Sequence, residues 1–145
     1  MNTTTDRADV EAVLNRVAEA HLARDAAAIV DAYMPDAVIF DLAPPLRRRG
    51  MGRDSVTTWL ASWDGPIQLD SHEVDLIVEG KLAFVSLLNR MRGRKGCKDH
   101  DLWFRSTLCL RKVGGQWRIA CDHASVPFYM DGSTRAAVDL KPEGR

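Results

Sequence analysis

Residues 102–128 read LWFRSTLCLRKVGGQWRIACDHASVPF, and this stretch decides the fold more than any other part of the chain. Two runs with strand-like alternation, Leu102 to Val113 and Gln116 to Phe128, are separated only by Gly114-Gly115. A pair of glycines between two such runs is typical of a tight hairpin turn. The stretch therefore predicts two long antiparallel strands joined at residues 114–115.

The same period of two continues upstream of this hairpin. Two further runs, Ile67 to Val78 and Lys81 to Met91, are followed by the turn-forming stretches Glu79-Gly80 and Arg92 to Cys97. Strands joined in order by short turns pair as an antiparallel meander. We expect a sheet of at least four strands from residue 67 onward.

The first third of the chain has a helical period instead. Residues 6–23 repeat apolar side chains at the i, i+3, i+4, i+7 spacing of one helical face. Asp25 can cap a second helix, Ala26 to Met34, which Pro35 is expected to end. A short strand, Asp36 to Asp41, is predicted to follow.

A third helix is predicted between that strand and the meander. Gly50 and Gly52 break the chain, Asp54 or Ser55 can cap the helix, and Gly65-Pro66 ends it. Helices that come mainly before the strands predict an α+β fold. We expect one domain over residues 1–130 and a polar tail over residues 131–145, which is either disordered or clasps a partner.

Composition excludes several classes of protein. The chain has 145 residues, of which 46% are hydrophobic and 28% are charged, which argues against intrinsic disorder. Twenty basic residues balance twenty acidic ones, so no basic field exists to hold a nucleic acid. No apolar run is long enough to span a membrane, and the polar start resembles no signal peptide, so we expect a cytoplasmic protein.

Two further expectations concern assembly and metal. The run from Leu82 to Leu88 is apolar at odd and even positions alike, which predicts that both sheet faces are covered, one of them by a second subunit in a homodimer. Cys97, Asp99, His100 and Asp101 match no closed metal site, so no metal is expected.

Several motifs resemble a known superfamily. Tyr33-x-x-Asp36-Ala37-Val38, leading into a strand, resembles the opening of nuclear transport factor two-like proteins. Arg105-x-Thr107, then residues 110–119 (LRKVGGQWRI) and His123-x-Ser125-x-Pro127, resemble the last two strands of its SnoaL-like branch, and the likeness covers residues 6–128.

The resemblance implies a conical barrel, in which N-terminal helices pack against a curved, mainly antiparallel sheet around a deep pocket, usually in a dimer. It does not imply one activity. The fold hosts isomerases, cyclases, dehydratases, epoxide hydrolases, ring-hydroxylase subunits and non-catalytic assembly domains.

The resemblance also points to a catalytic base. In steroid isomerases of this superfamily, the proton-abstracting aspartate sits at the place that Asp41 holds here. A carboxylate among apolar side chains would have a raised pKa and could abstract a proton. Alternatively, Asp41 only caps the turn at Ala43-Pro44-Pro45. The chain departs from the isomerases at Val17 and Thr107, where they carry the two donors of the oxyanion hole, so isomerisation of neutral ketosteroids is not expected.

Alternation along the last two strands indicates a polar group in the pocket. His123 and Ser125 share one face of the final strand, and Arg105 and Thr107 alternate on the strand before it. Pairing through the glycine turn would bring Arg105 near His123 or Ser125, where an arginine and a histidine could hold a carboxylate or an enolate oxygen. Both residues could equally be structural, with Arg105 paired to a carboxylate such as Asp122 or Asp41.

Other side chains are candidates for the pocket wall. His21 is a polar member of the first helix's apolar stripe and is either a hydrogen-bonded core histidine or a pocket group. Tyr33 opens the first family motif, and three tryptophans could line a cavity or simply fill the core: Trp59, Trp63 and Trp103.

These observations lead to two functional hypotheses. The first is a protein that binds an apolar or carboxylate-bearing small molecule and performs cofactor-free proton transfer of the isomerase, cyclase or dehydratase type, with Asp41 as base and Arg105 and His123 at the developing oxyanion. The second is a non-catalytic carrier of a hydrophobic ligand or a dimerisation module. The sequence leaves open whether the protein is an enzyme.

Overall fold

The computed structural model describes residues 3–143 and confirms the α+β class. Three helices and six strands follow one another in the order α1 (Thr3–Ala23), α2 (Ala26–Asp31), β1 (Tyr33–Phe40), β2 (Arg48–Arg49), α3 (Arg53–Ala61), β3 (Gln68–Glu79), β4 (Leu82–Lys95), β5 (Lys98–Val113) and β6 (Gln116–Ser125).

The six strands form one curved sheet in the order β2-β1-β6-β5-β4-β3. β1 runs parallel to β6, and every other neighbouring pair is antiparallel. The sheet is not closed, because β2 and β3 are its edges. Helix α1 packs across the sheet against β3 and β6, so the core lies between the helices and one sheet face.

The predicted meander of β3 to β6 is confirmed, but the connection between β4 and β5 is shorter than expected. Residues 92–95 continue β4, and the turn consists only of Gly96 and Cys97, with φ of 59° and 61°. Positive φ at both central residues is the geometry of a tight hairpin turn that follows the twist of the strands. The charged residues before and after this turn are therefore an exposed ribbon.

The second helix is shorter than predicted. It ends at Asp31, and Pro35, which was expected to end the helix, lies inside β1. The pairing of β1 with β6 is irregular between Tyr33 and Val38. A proline can occupy such a site, because no ladder hydrogen bond is required from its missing N–H group.

Two other boundaries differ from the prediction. The N-cap of α3 is Gly52, which makes no side-chain cap hydrogen bond, and Asp54 lies within the first turn. The last strand ends at Ser125.

The segment after β6 turns back on itself. Phe128 and Ala136 form an isolated antiparallel bridge, the Tyr129 N–H donates to the Arg135 carbonyl at 2.8 Å, and Ala137 is buried. Residues 1–2 and 144–145, the ends of the predicted domain and tail, lie outside the described part of the chain.

Within residues 3–143, no helix has the length and hydrophobicity needed to cross a membrane. The same residues contain no group of three or more His, Cys, Asp or Glu side chains arranged to hold a metal ion. All three cysteines are free thiols.

Candidate functional site

A cavity of about 420 Å³ lies between the helices and the sheet face that they cover. Most of its wall is apolar and comes from α1, α3 and the inward-facing side chains of the sheet. The polar side chains of the wall are His21, Tyr33, Asp41, Arg48, Ser55, Ser71, Asn89, Ser106 and Asp122. A cavity of this size and composition is typical of small-molecule sites, in which a few polar groups orient a largely apolar ligand.

The carboxylate of Asp122 on β6 is a strongly perturbed polar group of the wall. The Tyr33 hydroxyl on β1 donates a hydrogen bond of 2.6 Å to Asp122 Oδ2. Burial raises the pKa of Asp122 to about 6, an effect that the charge of Asp41 reinforces and that the Tyr33 hydrogen bond, His123 and Arg48 partly oppose. Asp122 is half-buried rather than fully buried, as expected for a side chain that lines a cavity.

Tyr33 itself is buried, and its phenol stays neutral. Burial, followed by the neighbouring charge of Asp122, raises the pKa of Tyr33 well above its ordinary value of 10.0. The phenolic proton therefore remains available to the Asp122 carboxylate throughout the physiological pH range.

A β-bulge explains why Asp122 points into the cavity. Cys121 pairs with Cys109 and Ile119 pairs with Leu110, so Ala120 is an extra residue with no partner on β5. An extra residue reverses the alternation of the residues that follow it. Ile119 faces the cavity before the bulge, and Asp122 and Ala124 face it afterwards.

The same bulge turns the predicted polar cluster outward. The predicted proximity of Arg105 to Ser125 is confirmed, since the two residues are direct partners, and Thr107 lies opposite His123. None of these four residues lines the cavity, whose wall includes their neighbours Phe104, Ser106, Leu108 and Ala124 instead. The expectation that Arg105 and His123 hold a ligand oxygen inside this pocket is therefore wrong, because both project from the opposite sheet face.

His123 and Ser125 border a second depression. This depression has about 340 Å³, is more open to solvent than the cavity and lies beside residues 40–42. The exposed imidazole of His123 contacts the Phe40 ring, with ring centroids 5.2 Å apart. An open depression offers less desolvation than the enclosed cavity, so the cavity is the better site for proton transfer.

Asp41, the predicted base, lies at the rim. Its side chain is 41% exposed, and its Oδ2 forms an ion pair of 2.6 Å with Arg48 Nη2. Its Oδ1 accepts a hydrogen bond of 2.7 Å from the backbone N–H of Leu42. The carboxylate is therefore exposed and ion-paired rather than enclosed by apolar side chains, and its contacts agree with the alternative role at the turn.

His21 lines the cavity as a neutral imidazole. Its Nδ1 lies 2.7 Å from the Val17 carbonyl, which can only accept, so Nδ1 carries the proton. Burial lowers the pKa of His21, with the Val17 hydrogen bond opposing the effect. The unprotonated Nε2 is consequently an acceptor. The Trp59 ring packs edge-on against this imidazole at 5.8 Å and also lines the cavity.

Trp63 and Trp103, the other two tryptophans proposed for the pocket wall, lie outside the cavity wall. Trp63 is buried, packs edge-on against Trp59 and His100, and closes over Gly93. Trp103 lies on the outward sheet face, where it contacts the His72 ring at 4.8 Å and the Arg90 guanidinium at 5.4 Å. These rings stabilise the fold and the outer surface rather than the pocket.

A polar pair on the sheet floor was not predicted. Asn89 Nδ2 on β4 donates to Ser106 Oγ on β5 at 2.9 Å, and both residues line the cavity. The sequence does contain a signal for this pair, because Asn89 and Ser106 interrupt apolar stripes. Their neighbours on the inward face are Leu87, Met91 and Leu108. Polar residues at such sites are informative because burial requires that they find partners.

The sequence and the fold both resemble those of known proteins. The family model of the SnoaL-like domain matches residues 10–129. A search of curated proteins finds no significant match.

Solved structures with the same fold are numerous. A nuclear transport factor 2-like protein of unknown function from Pseudomonas putida has a TM-score of 0.85 and 28% identity, covering 96% of this chain and 98% of its own. A candidate dehydratase of the same family from Streptomyces avermitilis has a TM-score of 0.74 and 18% identity, over 86% and 97% of the two chains. A candidate scytalone dehydratase from Novosphingobium aromaticivorans has a TM-score of 0.73 and 16% identity, over 99% and 96%. The last two likenesses concern the fold alone.

Proposed function

Because the chain belongs to the family of SnoaL-like domains, we propose that it binds a largely apolar small molecule in the cavity and moves a proton on that molecule, with Asp122 as the base. The observation that carries the proposal is the carboxylate of Asp122, which lines an apolar cavity, accepts from Tyr33 and has a pKa of about 6. The reaction needs no cofactor, since a carboxylate and a phenol supply the proton transfer.

The first step is removal of a proton from a carbon next to a carbonyl group. Above pH 6 Asp122 is ionised, and its raised pKa makes it a stronger base than an ordinary surface carboxylate. Tyr33 occupies Oδ2, so Oδ1 is the oxygen left to receive the proton. The C–H bond breaks, the new O–H bond forms on Asp122, and the electron pair moves onto the ligand's carbonyl oxygen.

The proton can then return to the ligand in two ways. Return to another carbon gives isomerisation, and transfer to a leaving hydroxyl group gives dehydration. Two proteins of the same fold are named as candidate dehydratases, but a likeness of fold alone does not decide between the two routes. The pKa near neutrality suits both halves of the cycle, because Asp122 must first accept and later donate.

A non-catalytic carrier for the same class of ligand is the second candidate. It is favoured by Val17, an apolar residue in the cavity wall, and by Thr107, which points away from the cavity. At these two positions the steroid isomerases have donors to the developing oxyanion, and the loss of one such donor typically reduces kcat by about 100- to 1,000-fold.

Hydrogen–deuterium exchange tests both candidates without knowledge of the natural substrate. The probe is 2-tetralone, an apolar bicyclic ketone with acidic C–H groups, followed by proton NMR in D₂O. We expect the wild-type protein to accelerate exchange, with a rate that rises as pH increases through about 6. Asp122→Asn should reduce the protein-dependent rate by about 100-fold, the lower limit for general-base catalysis. Asp36→Asn, at an exposed carboxylate of β1, is the matched control.

Three results separate the hypotheses. Binding of 2-tetralone without accelerated exchange would reject catalysis and leave the carrier. Loss of exchange in Asp41→Asn, with full exchange in Asp122→Asn, would move the base to the rim and overturn the proposed mechanism. An Asp122→Asn variant that still binds 2-tetralone but no longer exchanges its protons would support the mechanism, since the fold and the cavity are then intact.

A further inference from the structure

The sheet floor of the cavity carries a second polar position, and it is formed by Asn89 and Ser106. Ser106 is only 5% exposed, yet its hydroxyl faces a wall that is mostly apolar. Within residues 3–143, the bond from Asn89 Nδ2 to Ser106 Oγ, at 2.9 Å, is the one side-chain hydrogen bond that either residue makes.

This single bond leaves much of the hydrogen-bonding capacity of the pair unused. Ser106 Oγ accepts from Asn89, so its own proton must point elsewhere. Asn89 retains its second N–H group and its carbonyl oxygen Oδ1. Rotating the amide by 180° reverses the bond and still leaves donors and acceptors free. Ser106 is buried and Asn89 is half-buried, and polar groups in such places are costly unless water or a ligand completes their hydrogen bonds.

The register fixes where this pair lies relative to Asp122. Leu108 is opposite Asp122, and Ser106 is opposite Ala124, so Ser106 and Asp122 are diagonal neighbours on the cavity face. Diagonal neighbours in an antiparallel sheet are separated by about 7–8 Å between Cα atoms. Asn89 is diagonal to Ser106 on the next strand, because its direct partner is Phe104. The polar groups thus lie on one diagonal of a mostly apolar floor, with Ser71 of β3 directly opposite Asn89 at its end.

From this arrangement, and resting on the proposed function, we infer that the ligand is an apolar molecule with two oxygen functions at opposite ends, one at Asp122 and Tyr33 and the other at Asn89 and Ser106. The second oxygen is a hydroxyl or carbonyl group, since the pair offers both donors and acceptors and has no charge. A carboxylate is disfavoured at this position because the pair provides no cation.

Two naphthalene probes test the inference by isothermal titration calorimetry at pH 7.5. The first, 2,6-dihydroxynaphthalene, has oxygens at opposite ends, and the second, 2-naphthol, has one. We expect the wild-type protein to bind the diol at least tenfold more tightly. Asn89→Leu and Ser106→Ala should each remove about tenfold of the diol affinity and change 2-naphthol affinity by less than twofold. Ser86→Ala, on the outward face of β4, is the matched control for both probes.

The outcomes are distinguishable from those of the exchange test. The inference would be overturned by any of three results: equal affinity for the two probes, no saturable binding of either probe, or unchanged diol affinity in both variants. Each of these results would leave proton transfer by Asp122 intact. Loss of deuterium exchange alone would leave the two-oxygen ligand intact. If either variant fails to fold, NMR of the wild-type Asn89 side-chain amide decides: its shift must change with the diol and stay unchanged with 2-naphthol. The reverse pattern, or no change with the diol, contradicts the inference.

Discussion

The buried carboxylate of Asp122 should make the stability of this protein depend on pH. Its pKa in the folded chain is about 6, against a usual value of 3.8, and burial is the main cause. A carboxyl group with a raised folded pKa stabilises the fold below its unfolded pKa and loses that contribution as pH rises through the folded value. At 1.36 kcal/mol per pH unit, the difference amounts to about 3 kcal/mol. Roughly 2.5 kcal/mol of this is expected between pH 4 and pH 8.

Asp122→Asn removes this titration and keeps a side-chain oxygen that can accept from Tyr33. The relevant quantity is the free energy of unfolding of the variant minus that of the wild type, since all other titrations largely cancel in it. We expect this difference to increase in favour of the variant by roughly 2.5 kcal/mol from pH 4 to pH 8. Urea unfolding followed by tryptophan fluorescence, at one protein concentration, measures it. A difference that stays constant within about 0.5 kcal/mol, or that decreases with pH, would refute the argument that Asp122 is desolvated.

Three further predictions concern the Tyr33 hydrogen bond, the outward sheet face and the packing at Gly93. Tyr33→Phe removes the hydrogen bond that opposes the effect of burial on Asp122, so the pKa of Asp122 should be higher in this variant than in the wild type. Carbon-13 NMR measures this pKa, and a lower value would contradict the assigned role of Tyr33. We propose a twofold dimer through the outward sheet face, where Ile77 (48% exposed), Phe84 (45% exposed) and Cys109 lie directly opposite one another on β3, β4 and β5. Phe84→Arg should therefore convert the dimer into a monomer of 16.2 kDa, as measured by sedimentation. A wild-type protein that sediments as a monomer would reject the proposed dimer. Gly93→Ala would place a methyl group 2.9 Å from Trp63 Cε3 and should cost about 1–3 kcal/mol in thermal or urea unfolding, whereas Gly65→Ala, with no atom within 4 Å of the added carbon, should cost less; equal costs would contradict the packing described.

The hairpin that dominates the sequence was predictable because its signals are local. Two glycines at residues 114–115 and the alternation on either side are sufficient to pair β5 with β6 and to bring Arg105 close to Ser125. The order of the meander followed from the same pattern, and the family motifs identified the curved sheet and its helices.

The face of each residue near the site was not predictable by the same means. The unpaired Ala120 reverses the alternation between Ile119 and Asp122, and nothing in the local sequence distinguishes a bulge there from regular pairing. Strict alternation therefore assigned His123 to the pocket and overlooked Asp122. One extra residue decides which polar side chain of β6 lines the cavity.

The charged ribbon at the β4–β5 turn was missed for a different reason. Arg94 and Asp99 are direct cross-strand partners and form an ion pair of 3.2 Å, and Arg90 pairs with Asp101 at 2.6 Å. Opposite charges across an antiparallel pair stabilise it without burying apolar surface. A run of charged residues without an apolar face resembles a loop in sequence, although here it is a strand.

Asp122 is the carboxyl group of the cavity wall whose pKa burial raises to about 6. Carbon-13 NMR of selectively labelled aspartate carboxyl groups measures it directly, with Asp122→Asn used to assign the resonance. We expect the Asp122 carboxyl carbon to titrate with a midpoint of about 6. A midpoint at or below 3.8, the ordinary value for an aspartate, would contradict this expectation and remove the basis for Asp122 as the base.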